Sequence, residues 1–305
     1  MVTVELAIQT MTDVAQSIEL AQWAEAQGLA AFAVADHYLR TEEDFRALDQ
    51  MTVLAAVAAR TESIQLATLV SPITFRHPAV LLKAGVTIDE ISGGRFTLGL
   101  GAGWMEKEHD VFGFDFPPTR ERLDRLEEAL GYITAARDGN EQGFHGRWYH
   151  LAPGPAPQPR GERMRLAVGG SGPARTPELA GTYADEFNVF PSRHPMEARI
   201  AAARRAAVDA VRDPDTILFS TAFPLMVGED RADLDRRVEE VAAARGVEPE
   251  RIRERWPQAG IPVATRDQYL EELSRLEEIG ISRVYIQVAF DSPDEVRRLV
   301  GLLVN

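Results

Sequence analysis

The sequence predicts a single (β/α)8 barrel, because short β-rich apolar runs alternate with longer helical patterns along almost all of its 305 residues. Alternation of this kind implies a parallel sheet, and eight units close into a barrel within a chain of about 250 residues or more. We therefore expect one α/β domain over residues 1–305. The eight predicted strands lie at residues 4–9, 31–35, 64–70, 96–100, 166–168, 186–190, 217–227 and 284–288.

Each strand is followed by a pattern typical of a helix. Asp13 is a typical N-cap, apolar residues recur after it at helical spacing, and Gly28 ends this first helix. The helix predicted at 119–137 is amphipathic, with leucine or isoleucine on one face. The other predicted helices lie at residues 50–60, 78–91, 176–183, 196–211, 234–245, 268–279 and 293–302.

The alternation is interrupted at residues 140–164, where we expect an inserted β-hairpin or lid over the barrel mouth. Four prolines lie between residues 153 and 159, after the run that begins at His145. His145 and His150 are five residues apart on this hairpin, so we expect them to face opposite sides. That geometry is poor for metal binding, and the sequence contains no metal-ligand spacing.

A doubly wound open sheet is the alternative fold. Such a sheet usually carries a glycine-rich phosphate fingerprint in its first turn. The first turn here, Gln9-Thr10-Met11-Thr12, contains no glycine. The sequence therefore favours the closed barrel.

Composition excludes several classes of protein. The formal net charge of −14 argues against nucleic-acid binding, which needs a basic surface. The absence of cysteine removes disulfides, thiolate nucleophiles and cysteine-ligated metals. No apolar run approaches the roughly 18 residues of a membrane span, and the first residues do not resemble a signal peptide. We expect a cytoplasmic enzyme with a small-molecule substrate.

The catalytic residues of such a barrel lie where its strands end. The second predicted strand is followed by Asp36 and His37, a carboxylate beside the side chain that most often moves protons near neutral pH. A structural histidine bonded to the backbone is the alternative. The third strand ends in an unremarkable turn.

Glycines cluster at the ends of two further strands. The fourth strand ends in Gly99-Leu100-Gly101-Ala102-Gly103-Trp104, where bare backbone allows close approach of a flat ring. The fifth ends in Gly169-Gly170-Ser171-Gly172 before a helix, which is typical of an anion site. Glycine would also occur where packing is tight or in a plain turn. Two glycine clusters at the same end of the barrel nevertheless indicate a ligand with a flat ring that carries a phosphate.

These residues belong to a wider set of short motifs. The set comprises Ala35-Asp36-His37, Ala67-Thr68-Leu69-Val70-Ser71-Pro72, Arg76-His77-Pro78, Ile91-Ser92-Gly93-Gly94-Arg95, Gly99-Leu100-Gly101-Ala102-Gly103-Trp104, Phe116-Pro117-Pro118, Arg120-Glu121-Arg122-Leu123 and Ala184-Asp185-Glu186. With them the chain resembles the bacterial luciferase-like monooxygenase superfamily, and within it the actinobacterial deazaflavin-dependent oxidoreductases. The resemblance extends over nearly the whole chain.

The resemblance implies a (β/α)8 barrel, a homodimer and either coenzyme F420, a 5-deazaflavin, or FMN. It implies that His37, with Asp36 next to it, acts as acid/base or anion stabiliser. It implies a non-prolyl cis peptide at Thr68–Leu69 that buttresses the cofactor ring. The implied ring or ribityl contacts are Gly101, Ala102 and Gly103, and the implied phosphate contacts are Gly169, Gly170, Ser171 and Gly172.

The sequence departs from the family at one position. Sugar-phosphate dehydrogenases of this family carry a catalytic glutamate directly after the fourth-strand glycines, and here that residue is Trp104. The departure favours an apolar or aromatic substrate. The polyglutamyl tail of F420 also needs cations, for which the candidates are Arg40, Arg76, Lys107, Arg160, Arg163 and Arg165.

Three functions are compatible with these motifs and with the resemblance. The first is hydride transfer between F420 and a small organic substrate. An FMN-dependent monooxygenase that uses reduced flavin and O₂ shares the same motifs and is the main alternative. A non-catalytic flavin-binding protein on the same barrel is the third.

Overall fold

Eight parallel strands form the centre of the molecule in a computed structural model that describes residues 4–39, 47–155, 164–288 and 292–304. We number only these strands of the central sheet. They are β1 (Glu5–Thr10), β2 (Ala31–Val34), β3 (Gln65–Thr68), β4 (Phe96–Gly101), β5 (Arg165–Gly170), β6 (Glu186–Val189), β7 (Leu218–Pro224) and β8 (Arg283–Gln287).

The strands close into a barrel. Each pairs in parallel with the next along the chain, and β8 returns to β1 with Tyr285 opposite Ala7. Most residues of these strands are buried, since the barrel interior lies on one side and helices on the other. The predicted (β/α)8 barrel is confirmed, and all eight predicted strands are present.

Eleven helices of the described residues surround the barrel. They are α1 (Val14–Ala26), α2 (Gln50–Ala58), α3 (Pro78–Ser92), α4 (Glu106–Phe112), α5 (Thr119–Arg137), α6 (Arg175–Tyr183), α7 (Met196–Asp209), α8 (Arg231–Arg245), α9 (Pro249–Gln258), α10 (Arg266–Glu278) and α11 (Pro293–Val304). None of those described is long and apolar enough to span a membrane.

Two of these helices, α4 and α9, are absent from the sequence prediction. Both are short and strongly polar, and α9 buries a single residue, Ile252. Neither therefore displays the repeated apolar side chains from which an amphipathic helix is recognised. The omission of α4 matters for function, as described below.

The predicted hairpin is present, with Phe144–His145 paired to His150–Leu151 in antiparallel register. His145 lies directly opposite His150, and their ring centroids are 4.3 Å apart. The prediction that they face opposite sides is wrong, because directly opposed residues of an antiparallel pair share one face.

Contacts with the helical layer hold the hairpin. Glu128 of α5 accepts hydrogen bonds from the backbone N–H groups of Arg147 and Trp148, both at 2.8 Å. The ring of Tyr149 meets that of His77 at the start of α3, with 5.2 Å between centroids. The described part of the insertion thus packs against α5 and α3, whereas residues 156–163 lie outside the described residues.

Candidate active site

Two consecutive side chains after β2 have separate partners. Asp36 is buried and accepts hydrogen bonds from the Ser71 hydroxyl and, at 2.6 Å, from Nη1 of Arg76. The other terminal nitrogen of Arg76 pairs with Asp49. Burial raises the pKa of Asp36, and Arg76 and Ser71 offset part of that rise. Asp36 thereby ties the end of β2 to the loop after β3.

The carboxylate beside His37 is Glu108, not Asp36. His37 Nδ1 lies 3.1 Å from both carboxylate oxygens of Glu108, a buried residue of α4. Oε1 of Glu108 also accepts the backbone N–H groups of Tyr38 at 2.7 Å and Leu39 at 3.0 Å. One carboxylate therefore organises three consecutive residues at the C-terminal end of the strands, which is the mouth of the barrel.

Electrostatics keep Glu108 ionised. Burial acts to raise the pKa of its carboxyl, but the hydrogen bond and charge of His37 and the two amide donors lower it overall. An ionised carboxylate only accepts, so Nδ1 of His37 carries the proton in this pair. The Nε2 atom makes no hydrogen bond to any residue in the described part of the chain.

Sequence reasoning missed Glu108 because its contact spans 71 residues and its helix was not predicted. The available signal was weak. It consists of acidic residues in a short polar run directly after the glycine-rich end of β4.

The neighbouring residue on α4, His109, holds a second loop. Its Nδ1 donates to the Met105 carbonyl at 2.9 Å, and its Nε2 lies 2.7 Å from the Thr74 hydroxyl. Glu108 binds the loop after β2 and His109 binds the loop after β3. Helix α4 therefore crosslinks the two loops that border the candidate site.

The end of β3 carries a cis peptide bond between Leu69 and Val70. The resemblance implied this bond one residue earlier, at Thr68–Leu69. The Thr68 hydroxyl accepts the Gly99 N–H at 2.7 Å and donates to the Gly99 carbonyl at 3.0 Å, and both Thr68 and Leu69 are buried. Val70 is half-buried, so of these three residues it is the one that reaches the surface at the mouth.

Val70 also explains why two positions of the neighbouring strands, Gly101 and Gly169, are occupied by glycine. A Cβ atom at Gly101 would lie 2.8 Å from Cγ2 of Val70, and one at Gly169 would lie 2.7 Å from its Cγ1. At Gly99 a Cβ would meet the Thr68 carbonyl oxygen at 2.1 Å. These glycines make room for the end of β3, and Val70 lies where the sequence indicated bare backbone.

We expect Gly169→Ala to destabilise the fold by about 1–3 kcal/mol, because its methyl group overlaps Val70 in a packed interior. Combining it with Val70→Ala should recover most of this loss, since the second change removes the overlapping methyl groups. Urea unfolding of both single variants and the double variant measures the coupling. Strict additivity of the two single effects would contradict the proposed contact.

The end of β5 has the features of an anion site. Helix α6 begins at Arg175 shortly after the glycines, and its N-cap residue Ala174 provides no side-chain hydrogen bond. The positive end of the helix dipole therefore meets a glycine-rich turn. A Cβ at Gly172 would lie 2.8 Å from the Thr176 hydroxyl, so the turn lies close to that polar group. These residues fit a phosphate group.

The predicted cations have different surroundings. Arg76 is already paired with two carboxylates at the mouth, whereas Lys107 lies on α4. Arg165 begins β5 and therefore lies at the opposite end of the barrel from Gly170, so it is misplaced as a ligand of a tail at the mouth. Arg40, Arg160 and Arg163 lie outside the described residues. No cluster of metal-ligating side chains occurs within the described ranges.

A closed parallel barrel with a carboxylate-held histidine and glycine-rich turns at its mouth is the architecture of a TIM-barrel enzyme. The chain belongs to the luciferase-like monooxygenase family, whose model matches residues 2–291. The predicted family is confirmed.

The proteins to which this chain is similar include F420-dependent enzymes and a monooxygenase. The F420-dependent glucose-6-phosphate dehydrogenase of Nocardia farcinica is 29% identical over 293 residues, which cover 88% of this chain and 86% of that protein. Solved structures with the same fold include the following two. An F420-dependent secondary alcohol dehydrogenase has a TM-score of 0.80 at 18% identity, covering 99% of both chains. The monooxygenase RslO1 from Streptomyces bottropensis has a TM-score of 0.81 at 21% identity, covering 98% of this chain and 97% of that one.

Proposed function

We propose that the protein is an oxidoreductase that transfers a hydride between coenzyme F420 and a small organic substrate at the barrel mouth. The observation that carries this proposal is the pair formed by His37 and Glu108, which fixes the tautomer of the imidazole and leaves Nε2 available. The family membership and the F420-dependent relatives support the choice of cofactor.

Two groups of residues suit F420. Val70 offers an apolar surface for one side of the ring, with Gly101, Ala102 and Gly103 beside it. The turn Gly169–Gly172 and the start of α6 suit the phosphate. When bound, F420 supplies or accepts the hydride, and the protein contributes position and electrostatics. His37 would give or take the accompanying proton at Nε2, and Glu108 would stabilise the imidazolium form.

Titration of the purified protein with F420 and, separately, with FMN tests the cofactor assignment through ring fluorescence. We expect F420 to bind with a dissociation constant of about 1 μM or below, and FMN to bind more weakly. The reverse preference would favour the monooxygenase, and binding of neither would overturn the assignment of both glycine clusters.

A charge reversal tests the anion site separately. Ser171 is exposed, so Ser171→Asp adds a negative charge without disturbing packing. It should weaken F420 binding roughly tenfold by repelling the phosphate. The neutral variant Ser171→Asn, which matches aspartate in size, is the control and should bind as the wild type does. Equal effects of the two variants would place the phosphate elsewhere.

An FMN-dependent monooxygenase is the second candidate, and the likeness to RslO1, itself a monooxygenase, supports the oxygen-dependent reaction but not the choice of FMN. Turnover that requires O₂ would support this candidate, whereas hydride transfer that is indifferent to oxygen supports F420. Tight cofactor binding with no turnover would support a non-catalytic flavin-binding protein. The single domain over residues 1–305, the cytoplasmic location and the homodimer stay predictions.

A further inference from the structure

We propose that Trp104 forms one wall of the substrate site and selects uncharged substrates with a flat, conjugated group beside the reacting carbon. This inference rests on the proposed function and adds a substrate class to it. It identifies a specificity-determining residue that directly follows the glycines of β4.

The first observation is that Trp104 is exposed and lies beside His37, the candidate catalytic residue. Trp104 is 70% exposed, which is unusual for the largest apolar side chain. Its ring meets that of His37 nearly at right angles, with 5.8 Å between centroids. An edge contact of this kind covers at most one face of the indole. At least one face of the indole is therefore open, on a side chain whose ring contacts the imidazole that would move the proton.

The second observation is that the backbone on both sides of Trp104 is held. Gly103 has a φ of +81°, and its Cβ position would be 3.0 Å from the Thr74 hydroxyl and 3.4 Å from Cβ of Pro72. The carbonyl of Met105 accepts the Nδ1–H of His109 at 2.9 Å. The backbone that carries the exposed indole is thus held in place, which lowers the entropy lost when a ligand stacks on it.

The third observation is the local charge. Helix α4, which follows Trp104, carries Glu106, Glu108 and Asp110 against a single lysine, Lys107. Arg76 in the neighbouring loop is already bonded to two aspartates. A phosphorylated or carboxylated substrate would meet net negative charge near the indole, whereas a neutral conjugated ring would gain stacking and lose little hydration.

Matched pairs of carbonyl compounds test this inference, with reduced F420 as the hydride donor. Acetophenone and cyclohexyl methyl ketone have the same skeleton and differ in whether the ring is flat and conjugated. In the proposed reaction, reduced F420 would supply a hydride to the carbonyl carbon and His37 would supply a proton to the oxygen, giving the alcohol and oxidised F420. Cinnamaldehyde and its saturated analogue 3-cyclohexylpropanal form a second pair, and glucose 6-phosphate is the charged comparison.

The variants are Trp104→Ala, Trp104→Phe and Val111→Ala, the last truncating a different exposed apolar residue, which lies on α4. We expect Trp104→Ala to raise KM for the aromatic member of a pair roughly tenfold and for the saturated member about twofold, with a smaller change in kcat. Trp104→Phe should keep most of the wild-type preference, and Val111→Ala should match the wild type. The dissociation constant of F420 should stay unchanged in all three.

Several results would overturn the inference. Equal losses for aromatic and saturated substrates would remove the stacking role, and weaker F420 binding by Trp104→Ala would make the indole a cofactor contact. Turnover of glucose 6-phosphate alone, or of no compound while F420 binds tightly, would refute the substrate class and leave the proposed cofactor standing. Failure of the wild type to bind F420 would refute the proposed function itself.

Discussion

Replacing His37 with alanine is expected to lower kcat/KM by about 10²- to 10⁴-fold, the usual contribution of a positioned acid or base. The change removes the only group that we assign to proton transfer. Binding of F420 should be nearly unaffected, because the proposed ring and phosphate contacts lie on β3, β4 and β5. Steady-state kinetics with any substrate that supports F420 turnover, together with fluorescence titration, measures both effects.

His145→Ala is the matched control for this variant. His145 is also a histidine, but it is exposed on the hairpin that packs against α5. It should leave kcat/KM unchanged. Unaltered turnover in His37→Ala would show that His37 has no part in the chemistry, and the role assigned to its pair with Glu108 would be lost with it.

Changing Glu108 is expected to affect both stability and activity. Glu108→Ala leaves the N–H groups of half-buried Tyr38 and buried Leu39 without an acceptor, so it should cost up to about 6 kcal/mol of the free energy of unfolding, at about 1–3 kcal/mol for each amide and less where water reaches it. Glu108→Gln keeps an acceptor oxygen and the side-chain size, and should cost less. It nevertheless removes the negative charge beside His37, so kcat should fall by roughly 10- to 100-fold.

The stability contributed by Glu108 should also depend on pH. Its folded-state pKa is lowered from the ordinary value of 4.5, so the unfolded chain binds the proton more readily than the folded protein. The contribution is therefore present above pH 4.5 and is lost as the pH falls through the folded-state pKa. The difference in unfolding free energy between the wild type and Glu108→Gln should shrink accordingly on acidification.

Urea unfolding at pH 7 and at successively lower pH measures this difference. Glu106→Gln, an exposed position on the same helix, provides the control and should change stability by less than about 0.5 kcal/mol. A difference between the wild type and Glu108→Gln that stays constant from pH 7 to below 4.5 would show that the charge of Glu108 does not stabilise the fold.

The sequence predicted the strands well because their signal is local. A strand of a parallel barrel is covered on both sides, so it appears as a short apolar run bounded by turn residues. Helices with several apolar residues on one face were predicted for the same reason. Helix α4 has the sequence EKEHDVF and lacks such a face, so its existence depends on the two loops that it binds.

The sequence by itself determined the barrel, the position of His37 at the end of β2 and the glycines at the ends of β4 and β5, since each of these depends on neighbours along the chain. Only the tertiary structure decided which side chains from separate loops meet at the mouth of the barrel. It paired His37 with Glu108 instead of Asp36, and it filled the space beside Gly101 and Gly169 with Val70. Such contacts depend on how separate loops converge at one end of the barrel, and no local periodicity encodes that convergence.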